Sequence, residues 1–338
     1  MFFEREIIST ARMTSSAHVY RRFCKRRRDM DTLKPTPDPT MANLLPFSNL
    51  VEMEHGLRQR EGDASSQLPA YVVNRRDELV FYSVATREMM FDWISYVHRG
   101  LRMSNLTLHR TMRYADMFLW RHGAESFLDH ASDSVNALPL KHLPGHSILH
   151  LEQHDTLPRT LRRLMTTCLF VASKIEEVHP PRAAAFARAS GVDSFSVEHL
   201  FESERRLIKE LDHRLHYPTP LCFADLYLND LIPETGERSA LYEKLVALLL
   251  ETVALAHESL DFLPSLLAAS AITFVGARVF SIPRPALVAK FESAAHSSAD
   301  LDKGCRLFEK LVYDLYRSER LARPLIATEK YSETLKLL

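Results

Sequence analysis

The sequence predicts an all-α protein built from two helical bundles, and three observations support this. Glycine supplies only 9 of 338 residues, well below the usual ~7%, so Gly-rich turns and hairpins are scarce. Apolar residues recur at helical spacing through residues 70–217, and the pattern returns through residues 221–320. No stretch shows the strand–helix alternation of a parallel sheet.

Residues 1–65 have weak periodicity and are predicted to form a disordered N-terminal extension. A basic cluster at residues 21–28 is either a nuclear-import signal or a solvated run of charge. The N-terminus lacks the apolar stretch of a secretory signal. We therefore expect an intracellular protein, in the nucleus and cytoplasm.

The first bundle is predicted over residues 66–217. Its central helix is the segment 161–174, whose broad apolar stripe is typical of a largely buried helix. Pro180 and Pro181 end the following turn and precede a short helix at 182–188. Ser194 or Ser196 can cap the next helix, which is predicted to run through Leu215.

The second bundle is predicted over residues 218–320, followed by a tail at 321–338. Residues 241–255 form one long apolar helix, and residues 262–274 form another that is rich in small side chains. This second helix lies about a hundred residues after the central helix of the first bundle. An internal duplication of one helical unit is therefore predicted.

Glu204 falls on an apolar helix face. The stripe of that helix consists of Val197, Leu200, Phe201, Leu207, Ile208, Leu211 and Leu215. A carboxylate there costs several kcal/mol unless a cation meets it. Lys174, at the end of the central helix, is one candidate partner. Alternatively, Glu204 lies at the edge of the stripe and reaches water or Arg162.

Five runs in the same order resemble motifs of the cyclin family. Residues 171–181 (VASKIEEVHPP) are similar to the cyclin-box run ASKxEExxPP. The others are residues 87–93, 105–119, 204–219 and 329–336, the last of which resembles the KYxSxKxxxV tail of A/B-type, mitotic cyclins. The chain therefore resembles a divergent A/B-type cyclin over roughly residues 70–338.

This resemblance implies tandem five-helix cyclin boxes in a regulatory subunit that binds and activates a cyclin-dependent Ser/Thr kinase in cell-cycle control. It implies no catalytic residues and no cofactor. Lys174 and Glu204 match the Lys–Glu pair with which cyclins grip the movable helix of the kinase. The other implied kinase contacts are Val171, Ile175, Glu177, Ile208, Leu215 and His213, the last standing where the family usually has an aromatic residue.

The resemblance also implies a substrate-docking patch for short RxL motifs on the opening helix. Its matching residues are Thr86, Met89, Met90, Trp93 and Leu161. Thr86 stands where the family normally has Met, so docking through this groove is predicted to be weak.

An insertion at about residues 122–158 separates the second and third helices. It holds six of the 16 histidines of the chain, among them His146, His150 and His154 at steps of four. On a helix such spacing can bind zinc. The alternative is a solvated surface loop that holds no metal.

Composition weighs against other classes of protein. Forty-three basic residues balance 43 acidic ones, whereas a nucleic-acid binder has a basic excess. The longest charge-free run has 16 residues, fewer than the ~20 of a membrane span. We therefore expect neither a nucleic-acid nor a membrane partner.

Cysteine spacing and the lack of catalytic motifs also weigh against other classes of protein. Cys24, Cys168, Cys222 and Cys305 form no CxxC pair, which opposes a cyclin-fold transcription-initiation factor with a zinc ribbon. Cys168 and Cys305 are predicted to be buried thiols. No catalytic motif supports an enzyme. A transcriptional-type cyclin remains an alternative that the mitotic-type tail disfavours.

Overall fold

The computed structural model describes residues 47–62, 84–122, 157–231, 236–293 and 296–317. These residues form eleven α-helices and one 3-10 helix, and none of them lies in a strand. The chain divides into two compact units, residues 1–59 and 60–338. None of the helices in the described ranges is long and apolar enough to cross a membrane.

Helix α1 (Phe47–Gly62) lies within the extension that the sequence predicts to be mostly disordered, so part of that extension is helical. Met53 and Leu57 are buried one helical turn apart, and Arg58 pairs with Glu54 four residues before it. Most of its residues are polar or charged, so the short apolar stripe is weak in the sequence. In the second unit, the Glu61 carboxylate accepts hydrogen bonds of 2.7 Å from the backbone N–H and hydroxyl of Ser265.

The first bundle contains five helices, as predicted. They are α2 (Val84–Gly100), α3 (Asn105–His122), α4 (Arg159–Glu176), α5 (Ala183–Ala189) and α6 (Val197–Glu210). Every residue of α4 from Leu161 to Ser173 is buried, and α4 packs against the other four helices. The prediction of a central buried helix is confirmed.

Helix α6 begins as predicted but ends five residues early. Ser196 is the N-cap: its hydroxyl accepts from the backbone N–H of His199 at 3.3 Å, and the His199 ring accepts from the Ser196 N–H. The helix ends at Glu210, not Leu215. Asp212 and His213 adopt φ values of 52° and 58°, and a left-handed backbone cannot continue a right-handed helix.

The second bundle also contains five helices. They are α7 (Pro220–Leu231), α8 (Glu237–Leu255), α9 (Pro264–Arg278), α10 (Arg284–Ser293) and α11 (Ser298–Arg317), with a 3-10 helix (His257–Asp261) between α8 and α9. Helix α9 is buried from Ser265 to Gly276 and packs against the other four α-helices. Among the described residues, the fold is therefore all-α with tandem five-helix bundles.

Two buried arginines tie distant segments together. The Arg87 guanidinium pairs with Asp116 of α3 at 3.0 Å and donates to the carbonyls of Ala254 and Ala256 at the end of α8. Arg110 pairs with Glu176 at the end of α4 and donates to the Leu215 carbonyl at 2.9 Å. Because each guanidinium has several donors, each can satisfy a carboxylate and backbone carbonyls at once.

Cys168 and Cys305 are buried free thiols, as the sequence predicts. Burial raises the pKa of both groups, to about 11 for Cys305. Both are therefore protonated at neutral pH.

Candidate functional site

Lys174 and Glu204 form an ion pair at the surface of the first bundle. The Lys174 Nζ atom lies 2.7 Å from Oε1 and 2.8 Å from Oε2 of Glu204. The Lys174 side chain is 41% exposed and that of Glu204 is 13% exposed. Of the two sequence interpretations of Glu204, the structure supports the pairing with Lys174.

The local fold explains why this pair faces outward. Lys174 lies in the last turn of α4, directly after the buried run that ends at Ser173. Glu204 lies in the middle of α6, which packs against α4. The two helices thus bring one cation and one carboxylate together where their packed faces meet solvent.

Two aromatic rings surround the ammonium group. The Lys174 Nζ atom lies 4.2 Å from the ring centroid of Phe170 and 5.7 Å from that of Phe201. The two rings lie 6.0 Å apart. Cation–π attraction from both rings favours this position of the ammonium, which helps to hold the lysine side chain in place.

The pair itself adds little to stability, because an exposed ion pair is worth ~0–1 kcal/mol. The ammonium has three N–H donors, of which Glu204 takes up to two, and the carboxylate has further lone pairs at the same spot on the surface. Such a pair can bind the exposed carbonyls and N–H groups of a partner segment.

Apolar side chains flank the ion pair, but some of the apolar residues that the resemblance implies as kinase contacts are buried. Ile175, Ile208 and Leu215 are partly buried, His213 is exposed, and Val171 is only 2% exposed. Phe201, assigned from sequence to the buried stripe, is 39% exposed, and Val178 is 50% exposed. We call Lys174, Glu204, Phe201, Ile175, Ile208 and Val178 the clamp face.

The two glutamates after Lys174 serve the fold. The Glu177 carboxylate accepts from the backbone N–H of Ser104 at 2.8 Å and from the Thr107 hydroxyl at 2.5 Å, at the start of α3. Glu176 pairs with Arg110 in a buried ion pair. The assignment of Glu177 as a kinase contact stays a prediction. No sequence motif indicated the structural role of Arg110, which is one of several charged residues in α3.

The predicted substrate-docking patch is mostly closed. Thr86, Met90 and Leu161 are each 1% exposed and Trp93 is 5% exposed, whereas Met89 is partly exposed. A groove over these five residues therefore offers only Met89 as an accessible apolar side chain. Docking of RxL motifs at this patch stays a prediction.

The histidine-rich insertion was the only candidate metal site in the sequence. His146, His150 and His154 lie outside the described residues. Within the described ranges, no group of three or more His, Cys, Asp or Glu side chains is arranged to hold a metal ion.

Family models match the two bundles in the expected order. The model for the cyclin N-terminal domain matches residues 149–216, which include α4 to α6. The model for the cyclin C-terminal domain matches residues 218–303, which begin before α7 and extend into α11. The two matches meet at the junction between the bundles.

Known proteins agree with these matches. The chain is 24% identical to cyclin-F3-1 of Oryza sativa subsp. japonica over 71% of its length, and 24% identical to cyclin-B3-1 of Arabidopsis thaliana over 74%. It spans 52% of each relative. A viral cyclin from herpesvirus saimiri, solved by X-ray methods, has the same fold, with a TM-score of 0.54 and 12% identity. That match covers 77% of this chain and 96% of the viral one.

Tandem helical bundles of this kind are also the fold of the solved viral cyclin. The chain carries matches to both cyclin domain models, over residues 149–216 and 218–303. Its low-identity relatives are consistent with a divergent A/B-type member.

Proposed function

We propose that this chain is a regulatory subunit that binds and activates a cyclin-dependent Ser/Thr protein kinase in cell-cycle control. The observation that carries the proposal is the Lys174–Glu204 pair, held at the surface with 2.7 and 2.8 Å contacts. Cyclins are regulatory subunits and not enzymes themselves, so no catalytic residue is assigned to this chain.

The clamp face suits a helix of the kinase. The Lys174 ammonium donates to carbonyls at one helix end, and the Glu204 carboxylate accepts from N–H groups. Exposed Phe201 and Val178 and partly buried Ile175 and Ile208 supply apolar contact on either side. Holding that helix against the cyclin lets the Lys–Glu ion pair of the kinase form over ATP, a requirement of kinase activation.

The finer assignments belong to the same proposal. Residues 329–336 resemble the tail of A/B-type cyclins, which supports a mitotic role. The basic cluster at residues 21–28 supports a location in both nucleus and cytoplasm. The chain spans about half the length of these relatives, so the similarity does not identify its kinase partner or its substrates. Co-purification from cells would identify them.

The experiment compares kinase binding with folding for three variants. Lys174→Ala and Glu204→Ala should each abolish co-purification of the kinase, because breaking a desolvated charge pair at an interface costs about 2–5 kcal/mol. Their helical content by circular dichroism should match the parent, because the exposed pair adds little to the fold. Glu210→Ala, on the same helix, is the control and should bind normally. Full kinase binding by both clamp variants would overturn the mechanism.

A further inference from the structure

Four non-glycine residues have a left-handed backbone among the residues that the structure describes. They are Arg102, Asp212, His213 and Ser281, with φ values of 56°, 52°, 58° and 54°. Such a conformation is strained for an L-residue, because the Cβ atom lies too close to the following carbonyl oxygen. Strained residues tend to cluster at active sites and ligand clamps. Three of these four follow α2 and α6 of the first bundle, the helices that end at Gly100 and Glu210.

Helix α2 is followed by a tight turn at residues 101–103, which we call the α2 turn. The backbone N–H of Arg102 donates to the Arg99 carbonyl at 3.1 Å. The backbone N–H of Met103 donates to the His98 carbonyl at 3.5 Å. This pair of bonds is the Schellman motif, whose left-handed position is usually occupied by glycine. Arginine at this position carries a conformational cost that glycine would avoid.

The side chain that this strained backbone carries is exposed. Within the described parts of the chain, no carboxylate or carbonyl group pairs with the Arg102 guanidinium. Its five N–H donors are therefore open to a partner. The cost of the left-handed arginine is thus not offset by an ion pair of Arg102 with a described residue.

The α2 turn adjoins the clamp face. Ser104, the first residue after the turn, donates its backbone N–H to the Glu177 carboxylate at 2.8 Å. Glu177 directly precedes Val178, which is 50% exposed and belongs to the clamp face. The left-handed turn after α6 adjoins the same face, because the His213 N–H donates to the Ile208 carbonyl at 2.9 Å. Both strained turns therefore lie at edges of the clamp face.

We infer that Arg102 is a further kinase-binding residue, which binds a carboxylate side chain of the kinase beside the helix that the clamp face holds. This inference rests on the proposed function and extends the same interface to the α2 turn. A guanidinium group binds a carboxylate through two parallel N–H donors, which gives geometric selectivity. The left-handed turn places this group at the edge of the clamp face at a cost in stability.

The test compares kinase binding and stability for Arg102→Gly and Arg102→Asn, since both new residues accept a left-handed backbone. The kinase is the one that co-purifies with the parent chain. Both variants should weaken its binding about fivefold or more, measured as a Kd by biolayer interferometry. Arg102→Gly should also raise the Tm by about 1–3 °C, because the strain is relieved.

Two controls separate the effect of strain from that of charge. Ser281→Gly relieves the left-handed residue that follows α9, so it should raise the Tm and leave the Kd unchanged. Arg188→Gln removes an exposed cation from the last turn of α5 and should also leave the Kd unchanged. Equal weakening by Arg188→Gln would indicate a general effect of net charge and would overturn the inference.

Normal kinase binding by both Arg102 variants would overturn the inference as well. If their Tm were also lower, the arginine would serve the dipole at the end of α2 instead. Treatment of the kinase with a phosphatase identifies the bound group. If this treatment removed the difference between the parent and the Arg102 variants, the group would be a phosphate and the carboxylate assignment would be wrong.

The variant Lys174→Ala separates this inference from the proposed function. If Lys174→Ala loses the kinase while both Arg102 variants bind normally, the clamp mechanism stands and only this inference fails. If the Arg102 variants bind weakly while Lys174→Ala binds fully, the clamp mechanism fails and the contact at the α2 turn stands. If the parent chain retains no kinase, the proposed function fails, and this inference fails with it.

Discussion

The Arg110 guanidinium of α3 donates to the carbonyl of Leu215 at 2.9 Å, and these residues are 105 positions apart in the chain. The Tyr114 hydroxyl donates to the same carbonyl at 2.6 Å. Because Leu215 follows the left-handed turn that ends α6, the two bonds fix the path of the chain as it leaves α6. The buried Arg110–Glu176 pair joins this exit to the end of α4, next to the clamp face.

Arg110→Gln should therefore destabilise the protein strongly. The variant leaves the Glu176 carboxylate buried without its cation, and breaking a buried ion pair in this way costs about 3–5 kcal/mol. The free energy of unfolding is measured by urea titration. The double variant Arg110→Met/Glu176→Met should recover much of the loss, since no lone charge remains. A loss under about 1 kcal/mol in the single variant would contradict this account.

Gly304→Ala should destabilise the second bundle. A Cβ atom at Gly304 would lie 2.1 Å from the Ser270 hydroxyl oxygen and 2.6 Å from its Cβ atom, so α9 and α11 must move apart. Such overpacking typically costs about 1–3 kcal/mol. Gly56→Ala in α1 is the matched control, because nothing lies within 4 Å of its added Cβ atom. Thermal unfolding should show a lower Tm for Gly304→Ala only.

Ser196→Ala should lower the stability of the first bundle by about 1 kcal/mol, through loss of the N-cap of α6. Ser196→Asp should retain most of the stability, because its carboxylate can accept the same bond from the His199 N–H. Urea unfolding of the two variants tests this order. If the alanine and aspartate variants lost the same free energy of unfolding, loss of the N-cap hydrogen bond would not explain the destabilisation.

Cys305 should contribute to a loss of stability in alkaline solution. Burial raises its pKa from 9.0 to about 11, so the folded chain retains a proton that the unfolded chain releases first. The protonated Cys305 thiol makes its full contribution to the free energy of unfolding below pH 9, and this contribution is lost as pH rises towards 11. The difference in unfolding free energy between the parent and Cys305→Ala should therefore shrink across this range. A difference that stays constant would contradict the shift.

The sequence by itself determined the helical class, the two bundles and the central buried helix α4. These features depend on spacing within one segment: apolar residues that recur every three or four positions must share a helix face, and Ser196 caps the helix that follows it. The pairing of Lys174 and Glu204 could also be predicted from sequence. The motifs around them resemble the cyclin box, and a carboxylate on an apolar stripe requires a cation nearby.

Only the tertiary structure decided which parts of those faces are covered. Phe201 belongs to the apolar stripe of α6 but stays 39% exposed, because α4 and its neighbours cover only part of that face. Glu177, which is predicted to contact the kinase, also accepts a hydrogen bond from the backbone N–H of Ser104 at the start of α3, 73 positions away. Periodicity fixes the direction of a side chain on its own helix. Burial and pairing depend on helices distant in the chain, whose positions no local pattern encodes.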